Sequence, residues 1–269
     1  MEDQLLAAVV QMNSGADRAA NCAAAGDLIA QAAGRGARLV VLPELFNCLG
    51  SSSEMLAGAE PIPGPTSTWL GELARRHQVV LVGGSICEAA AAGRAYNTSL
   101  LFGPDGRLLA TYRKLHLFDV DLPGQVTYRE SAWLAAGDRV VVEDTASGRL
   151  GLAICYDLRF GRLFDALIEA GAEVLAIPSA FTAATGRDHW EILLRARAIE
   201  CQAFVLAANQ YGRHTPQFTT WGHSAIVDPW GRLLAEVDDG PGIAVAALDF
   251  GQLRAIRARL PALAHRRVL

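Results

Sequence analysis

Gly36-Ala37-Arg38-Leu39-Val40-Val41-Leu42-Pro43 and Gly171-Ala172-Glu173-Val174-Leu175-Ala176-Ile177-Pro178 share one pattern. Each opens on a glycine that follows a helix-like segment, continues as a short apolar run, and is stopped by proline. An apolar run this short, bounded by glycine and proline, reads as a buried strand. Working outward, the first copy is preceded by a strand over Leu5–Gln11 and an alanine-rich helix over Asp17–Ala33, with Gly34 as its C-cap. The second is preceded by a strand over Arg149–Ile154 and a helix over Leu163–Ala170 that ends at Gly171. After the first come a helix over Thr66–His77 and a strand over Gln78–Ile86; after the second, a helix over Asp188–Gln202 and a strand over Ala203–Asn209.

A second echo follows in the same order. Phe102-Gly103-Pro104-Asp105-Gly106-Arg107-Leu108-Leu109-Ala110 resembles Val227-Asp228-Pro229-Trp230-Gly231-Arg232-Leu233-Leu234-Ala235, each built around a proline-containing turn. Strand, helix, strand at this spacing is a βαβ unit, and its repetition predicts an α/β fold of two packed sheets related by a pseudo-twofold, with helices outside. Between the halves, Leu115–Asp138 carries Pro, Gly, His and aromatic residues without a clean period; it is expected to be an irregular, functional loop.

The composition fits this. The chain has 269 residues, 51% of them hydrophobic and 19% charged. A single domain of that length buries roughly 75% of the surface its unfolded chain exposes. The Gly- and Pro-rich stretch Ser51–Pro65 sits between elements of one unit, so residues 1–269 are expected to form one domain. A net charge of −4 with no basic run argues against nucleic acid or an anionic membrane as partner. The five cysteines are scattered and never spaced CxxC, which points to free thiols in a reducing compartment and away from disulfides or zinc. No two histidines share a helical turn, and no metal site is expected. The opening Met1-Glu2-Asp3-Gln4 is acidic where a signal peptide is basic, and no apolar run is long enough to span a bilayer, so the cytoplasm is the expected location.

Three residues stand where α/β enzymes place reacting groups, at strand ends. Cys155 ends the strand Arg149–Ile154, Glu44 follows Pro43 at the end of Arg38–Leu42, and Lys114 closes the hairpin strand that leads into the long loop. Singly, each has a plainer reading: a buried inert thiol, a solvated loop carboxylate, a surface lysine. Together they make a reaction. A thiol nucleophile needs a base for its proton and a cation nearby to lower its pKa, which helix N-terminal amides after Cys155 are expected to assist. The oxyanion formed from an amide carbonyl needs donors, here the Lys114 ammonium and the Tyr156 backbone N–H. The leaving amine needs a proton, which Glu44 can return.

Leu42-Pro43-Glu44, Tyr112-Arg113-Lys114-Leu115-His116 and Cys155-Tyr156-Asp157-Leu158-Arg159-Phe160 resemble, in order and spacing, the three signature blocks of the nitrilase (carbon–nitrogen hydrolase) superfamily. The resemblance extends to Trp221-Gly222-His223-Ser224 and Asp228-Pro229-Trp230-Gly231. It implies a four-layer αββα sandwich, commonly dimerised, with a Glu–Lys–Cys triad and no metal or organic cofactor. It also implies a second glutamate, matched by Glu130, that positions Lys114 and the substrate amide. The segment His116–Gly124 resembles the branch containing deaminated-glutathione amidase and omega-amidase, and Gly212-Arg213-His214 and the ending near Leu260-Pro261 lie closer to the former.

That branch implies an amide substrate carrying a carboxylate: deaminated glutathione, cleaved to an α-keto dicarboxylate and cysteinylglycine, or α-ketoglutaramate. Arg159, Arg162, Arg187 and Arg213 are candidate carboxylate partners. Tyr128, Tyr156, Phe181, Thr182, His189 and Trp190 are candidate lining, whereas Arg195 and Arg197 are expected to be structural. The alternatives are a true nitrilase, whose Cys-Trp-Glu pattern this chain lacks, a papain-like protease using His223, and a silent scaffold subunit, which has no need of an intact triad.

Overall fold

The computed structural model describes residues 3–124 and 126–267, so Met1 and Glu2 of the acidic opening lie outside it. The first half runs β1 (Gln4–Gln11), α1 (Arg18–Gly34), β2 (Leu39–Val41), α2 (Ser52–Ala57), α3 (Pro65–His77), β3 (Val80–Ala89), β4 (Ala95–Phe102) and β5 (Leu108–Arg113). Asp17 caps α1 by accepting the Ala20 N–H. The turn into β2 is made by Gly36, with φ +87°, and not by Gly34, which still belongs to the helix.

A hairpin, β6 (Asp119–Leu122) and β7 (Val126–Arg129), joins the halves. The second half runs β8 (Val142–Thr145), β9 (Gly148–Leu152), α4 (Gly161–Glu169), β10 (Val174–Ala176), α5 (Ala183–Cys201), β11 (Phe204–Ala207), the hairpin β12 (Tyr211–Thr215) and β13 (Phe218–Trp221), then β14 (Ala225–Val227) and β15 (Leu233–Glu236). The chain closes with β16 (Gly242–Asp249) and α6 (Phe250–Arg259).

Two six-stranded sheets result, ordered β16-β1-β2-β3-β4-β5 and β15-β14-β11-β10-β9-β8. In each, three central strands are parallel and the flanking strands antiparallel, β1-β2-β3 matching β9-β10-β11. The expected pseudo-twofold is therefore present strand for strand. Side-chain alternation builds the layers. Leu39 and Val41 of β2 point to the space between the sheets, where they join Leu150 and Leu152. Val40 and Leu42 point the other way, onto Ile29 of α1 and Leu70 and Leu73 of α3. Helix, sheet, sheet, helix is thus the αββα sandwich.

Three further details depart from the sequence-based reading. The stretch Leu115–Asp138 is not irregular throughout, because Asp119–Leu122 pairs with Val126–Arg129 in an antiparallel hairpin. The helix expected from Asp188 begins at Ala183; its first turn, Ala183-Ala184-Thr185-Gly186, is small and polar, and the Gly186 N–H donates to Thr182 O. Gly186 is required there, since a Cβ would collide with the Trp221 indole. Finally, β16 pairs along its whole length with β1, completing the first sheet from the far end of the chain.

Candidate active site

Glu44 and Cys155 reach the same point from different sheets. Past β2, the chain turns at Leu45, which holds φ +50°; past β9, it turns at Cys155 itself, φ +46°. Left-handed backbone at a residue other than glycine costs about 1–2 kcal/mol, and each turn is pinned. The Leu45 N–H donates to Ser85 Oγ at 3.0 Å, and the Cys155 N–H to Pro178 O at 2.9 Å. Gly84 lets β3 pass close behind, because a Cβ there would strike the Pro43 carbonyl.

Lys114 is almost fully buried, 1% exposed, between two carboxylates. Its Nζ is 2.9 Å from Glu44 Oε1 and 2.9 Å from Glu130 Oε2. Glu130 is fixed in turn by the Phe118 N–H, which donates to its Oε2 at 2.7 Å. Glu44 accepts two further bonds, from Asn97 Nδ2 at 2.7 Å and from the Ala180 N–H at 2.7 Å. Burial opposes the charge on Lys114, but Glu130 and Glu44 outweigh it and hold the ammonium well above the usual lysine range. Burial raises Glu130 against the pull of Lys114.

The thiol does not follow the expectation of a preformed thiolate. Burial first, then the neighbouring Glu44 carboxylate, push Cys155 well above the ordinary thiol range, and Lys114 offsets them only in part. The expected helix N-terminus is also absent from this position. Cys155–Arg159 is a single 3-10 turn, α4 starts only at Gly161, and the turn carries the buried carboxylate of Asp157. The balance of these causes favours the neutral thiol form of Cys155 beside the Glu44 carboxylate.

Asp157 ties the nucleophile loop to the lysine strand. It accepts from the Ile154 N–H at 2.9 Å, Tyr112 Oη at 2.7 Å and the His116 N–H at 3.0 Å, with His116 Nδ1 a further 2.7 Å away. His116 stacks flat on Phe160, ring centroids 3.7 Å apart. Arg197 braces the same turn by donating from Nε to Leu158 O at 3.1 Å, while pairing with Glu200; Arg195 pairs with Glu191.

Above the cluster lies a cavity of about 460 Å³ whose wall includes Glu44, Lys114, Glu130 and Cys155. Tyr128, Tyr156, Arg159, Phe181 and Thr182 also line it. Burial, with Glu130 adding to it, pushes the Tyr128 hydroxyl up to about 12. His189 does not line it: the ring is exposed and stands behind Arg159, its Nδ1 3.3 Å from Nη1. Trp190 is buried outside the cavity, donating to His223 O at 2.7 Å. Arg162, Arg187 and Arg213 are exposed and lie off its wall, which leaves Arg159 as the arginine that faces it. Arg159 lies over the Phe181 ring at 5.0 Å, and among the described residues it has no carboxylate within ion-pair distance.

Sequence reasoning missed the residues that hold the triad: Asn97, Ala180 through its backbone, and Asp157. Asn97 had a signal, a carboxamide in an otherwise strand-like run. Ala180 had none, because its contribution is a main-chain N–H. Also unread were Leu49–Ser52 and Thr215–Phe218, which complete the wall. Among the described residues no group of three or more His, Cys, Asp and Glu side chains is arranged to hold a metal ion, and no helix is long and apolar enough to cross a membrane.

The chain is similar to known proteins in sequence and in fold. Residues 6–258 match the family model for Carbon-nitrogen hydrolase. The deaminated glutathione amidase of Synechocystis is 44% identical over 265 residues, covering 97% of each chain. The human omega-amidase NIT2 is 40% identical over 260 residues, covering 97% of this chain and 94% of its own. Among solved structures, the C. elegans NitFhit protein superimposes with a TM-score of 0.91 at 38% identity over 98% of this chain; the chain spans 65% of that longer protein.

Proposed function

The chain belongs to the carbon–nitrogen hydrolase family, and from that premise we propose that it is an amidase that cleaves deaminated glutathione. The observation that carries this reading is a cysteine at the floor of a closed Glu44–Lys114–Glu130 cluster, under a cavity that also holds an arginine with no protein carboxylate to pair with. Arg159 suits the α-keto carboxylate of the acyl portion, since guanidinium and carboxylate pair through two parallel bonds.

In this mechanism Glu44 takes the Cys155 proton as sulfur attacks the amide carbon. The oxyanion is received by the Lys114 ammonium and the Tyr156 N–H. Glu44 then hands its proton to the departing nitrogen, the C–N bond breaks, and cysteinylglycine leaves. Water, deprotonated by Glu44, attacks the thioester; the proton returns to sulfur and the α-keto dicarboxylate is released. Glu130 keeps Lys114 in place, and Asn97 and the Ala180 N–H keep Glu44 facing the thiol.

The triad draws Glu44 and Lys114 from the first half and Cys155 from the second, with Glu130 supplied from the end of the hairpin that joins them, which supports residues 1–269 working as one domain. Five free cysteines suit a cytoplasmic setting. The exposed apolar side chains Ile192, Ile199, Trp230 and Leu260, the most exposed of them Ile192 at 69%, support burial against a second copy in a homodimer or higher assembly.

The test is kcat/KM for deaminated glutathione and α-ketoglutaramate, with glutathione and a simple aliphatic nitrile as controls. A preference for deaminated glutathione is expected. A preference for α-ketoglutaramate, the substrate class of omega-amidases, moves the assignment to that reaction, and turnover of the nitrile alone overturns the amidase reading.

A further inference from the structure

The hairpin β12–β13 carries no group of the triad, yet its tip, Thr215-Pro216-Gln217-Phe218, forms part of the cavity wall. Its mounting places it. His214, partly buried, stands with Nδ1 2.7 Å from Ser14 O and Nε2 2.7 Å from Thr220 Oγ1. A carbonyl only accepts, so Nδ1 carries a proton and the ring bridges the hairpin to Ser14. Ser14 Oγ donates to Phe46 O at 2.7 Å, two residues beyond Glu44. The hairpin is thereby tied to the loop that leaves Glu44, whereas Arg159 sits on the loop that leaves Cys155. Glu44 must protonate the departing nitrogen, so the amine half of the substrate lies on the Glu44 side, toward this tip.

The tip is suited to an amine larger than ammonia. The Phe218 ring stands 5.9 Å from that of Tyr128, continuing the wall onto the β6–β7 hairpin. Gln217 is exposed, and among the described residues its side-chain amide makes no hydrogen bond within the protein. Its two donors and its acceptor are free, which matches the peptide N–H and C=O of an extended leaving group and has nothing to meet on ammonia.

We propose that the β12–β13 tip is the subsite for the amine side of the scissile bond and that Gln217 is a specificity-determining residue there, hydrogen-bonding the peptide group of a dipeptide leaving amine. This rests on the deaminated-glutathione reading. Binding energy gained away from the reacting atoms raises kcat/KM for the longer substrate.

The experiment uses amides of one acyl group, α-ketoglutarate, with ammonia, methylamine, glycine and cysteinylglycine as leaving amines, on the wild type and on Gln217→Ala, Gln217→Glu and Gln217→Lys. Gln217 is exposed, so none of the three disturbs the core. For the wild type, kcat/KM rises along the series. In Gln217→Ala the ratio of the cysteinylglycine amide to the primary amide falls by about tenfold, the value of one well-made hydrogen bond of about 1.4 kcal/mol. Gln217→Glu lowers the ratio further by repelling the terminal carboxylate, and Gln217→Lys restores part of it. A wild type that prefers the longer amide, with all three variants keeping its ratio, overturns the subsite alone. A wild type that prefers the primary amide overturns the reading beneath it as well.

Discussion

In the first half Ala7 of β1 lies opposite Leu39 of β2; in the second, Leu150 of β9 lies opposite Val174 of β10. Counting the same five residues onward from each brings Met12 and Glu44 to the strand ends of one half, Cys155 and Ser179 to those of the other. The scaffold is duplicated but the chemistry is divided. Where the second half has Cys155, the first has a buried methionine packed into the helix-side core. Where the first half has a carboxylate, the second has a serine whose hydroxyl turns back to Ile177 O at 3.2 Å. Duplicated sheets supply two equivalent edges, and here one carries an acid and the other a thiol that line the same cavity.

The asymmetry is broken most severely at the thiol. Cys155→Ala should lower kcat by at least ~10³-fold with the fold retained, since no other group forms the thioester; circular dichroism and single-turnover assays check both halves of that statement. Arg159→Met comes next. Losing a charge-assisted contact of about 1.5–3 kcal/mol should cut kcat/KM by about 10–100-fold, with most of the loss in KM, and should spare amides that lack the acyl carboxylate.

Asp157→Asn affects the seam between the halves. Its amide nitrogen would face one of the donors that the carboxylate now accepts, leaving a buried group unpaired at a cost of about 1–3 kcal/mol. Urea unfolding should register that loss, and steady-state kinetics about a tenfold fall in kcat as Cys155 loses its alignment with Lys114. Met12→Ala, at the counterpart of the nucleophile, sharpens the comparison from the other side. It should cost stability of about 2–5 kcal/mol by opening a cavity, while turnover per folded molecule holds.

Where local pattern determines structure, sequence alone located it. The β2 and β10 runs, the flanking helices and the two proline turns are short-range features, and Glu44, Lys114 and Cys155 fall at their ends. The parts that escaped are set by distant partners. β16 is a strand because β1 lies beside it, Gln4 opposite Asp249. The tip of β12–β13 belongs to the site because His214 is anchored on Ser14. The state of the thiol was misjudged for the same reason. A lysine nearby argued for a lowered pKa, but burial and the Glu44 carboxylate, both products of packing, raise it.

That last point carries the central claim, that the first half's carboxylate acts as base on the second half's neutral thiol. The measurement is the rate of alkylation of Cys155 against pH, in the wild type, Glu44→Gln and Lys114→Met. In the wild type the rate should rise only at pH above the ordinary thiol range. Glu44→Gln removes a cause that raises the thiol pKa, so its inflection should move to lower pH, giving faster alkylation at neutral pH even as amide turnover falls by about 10²–10⁴-fold. Lys114→Met removes the neighbouring ammonium that lowers the thiol pKa and should move the inflection higher. A wild-type thiol already ionised at neutral pH, or a Glu44→Gln profile that stays in place or shifts upward, would contradict the account.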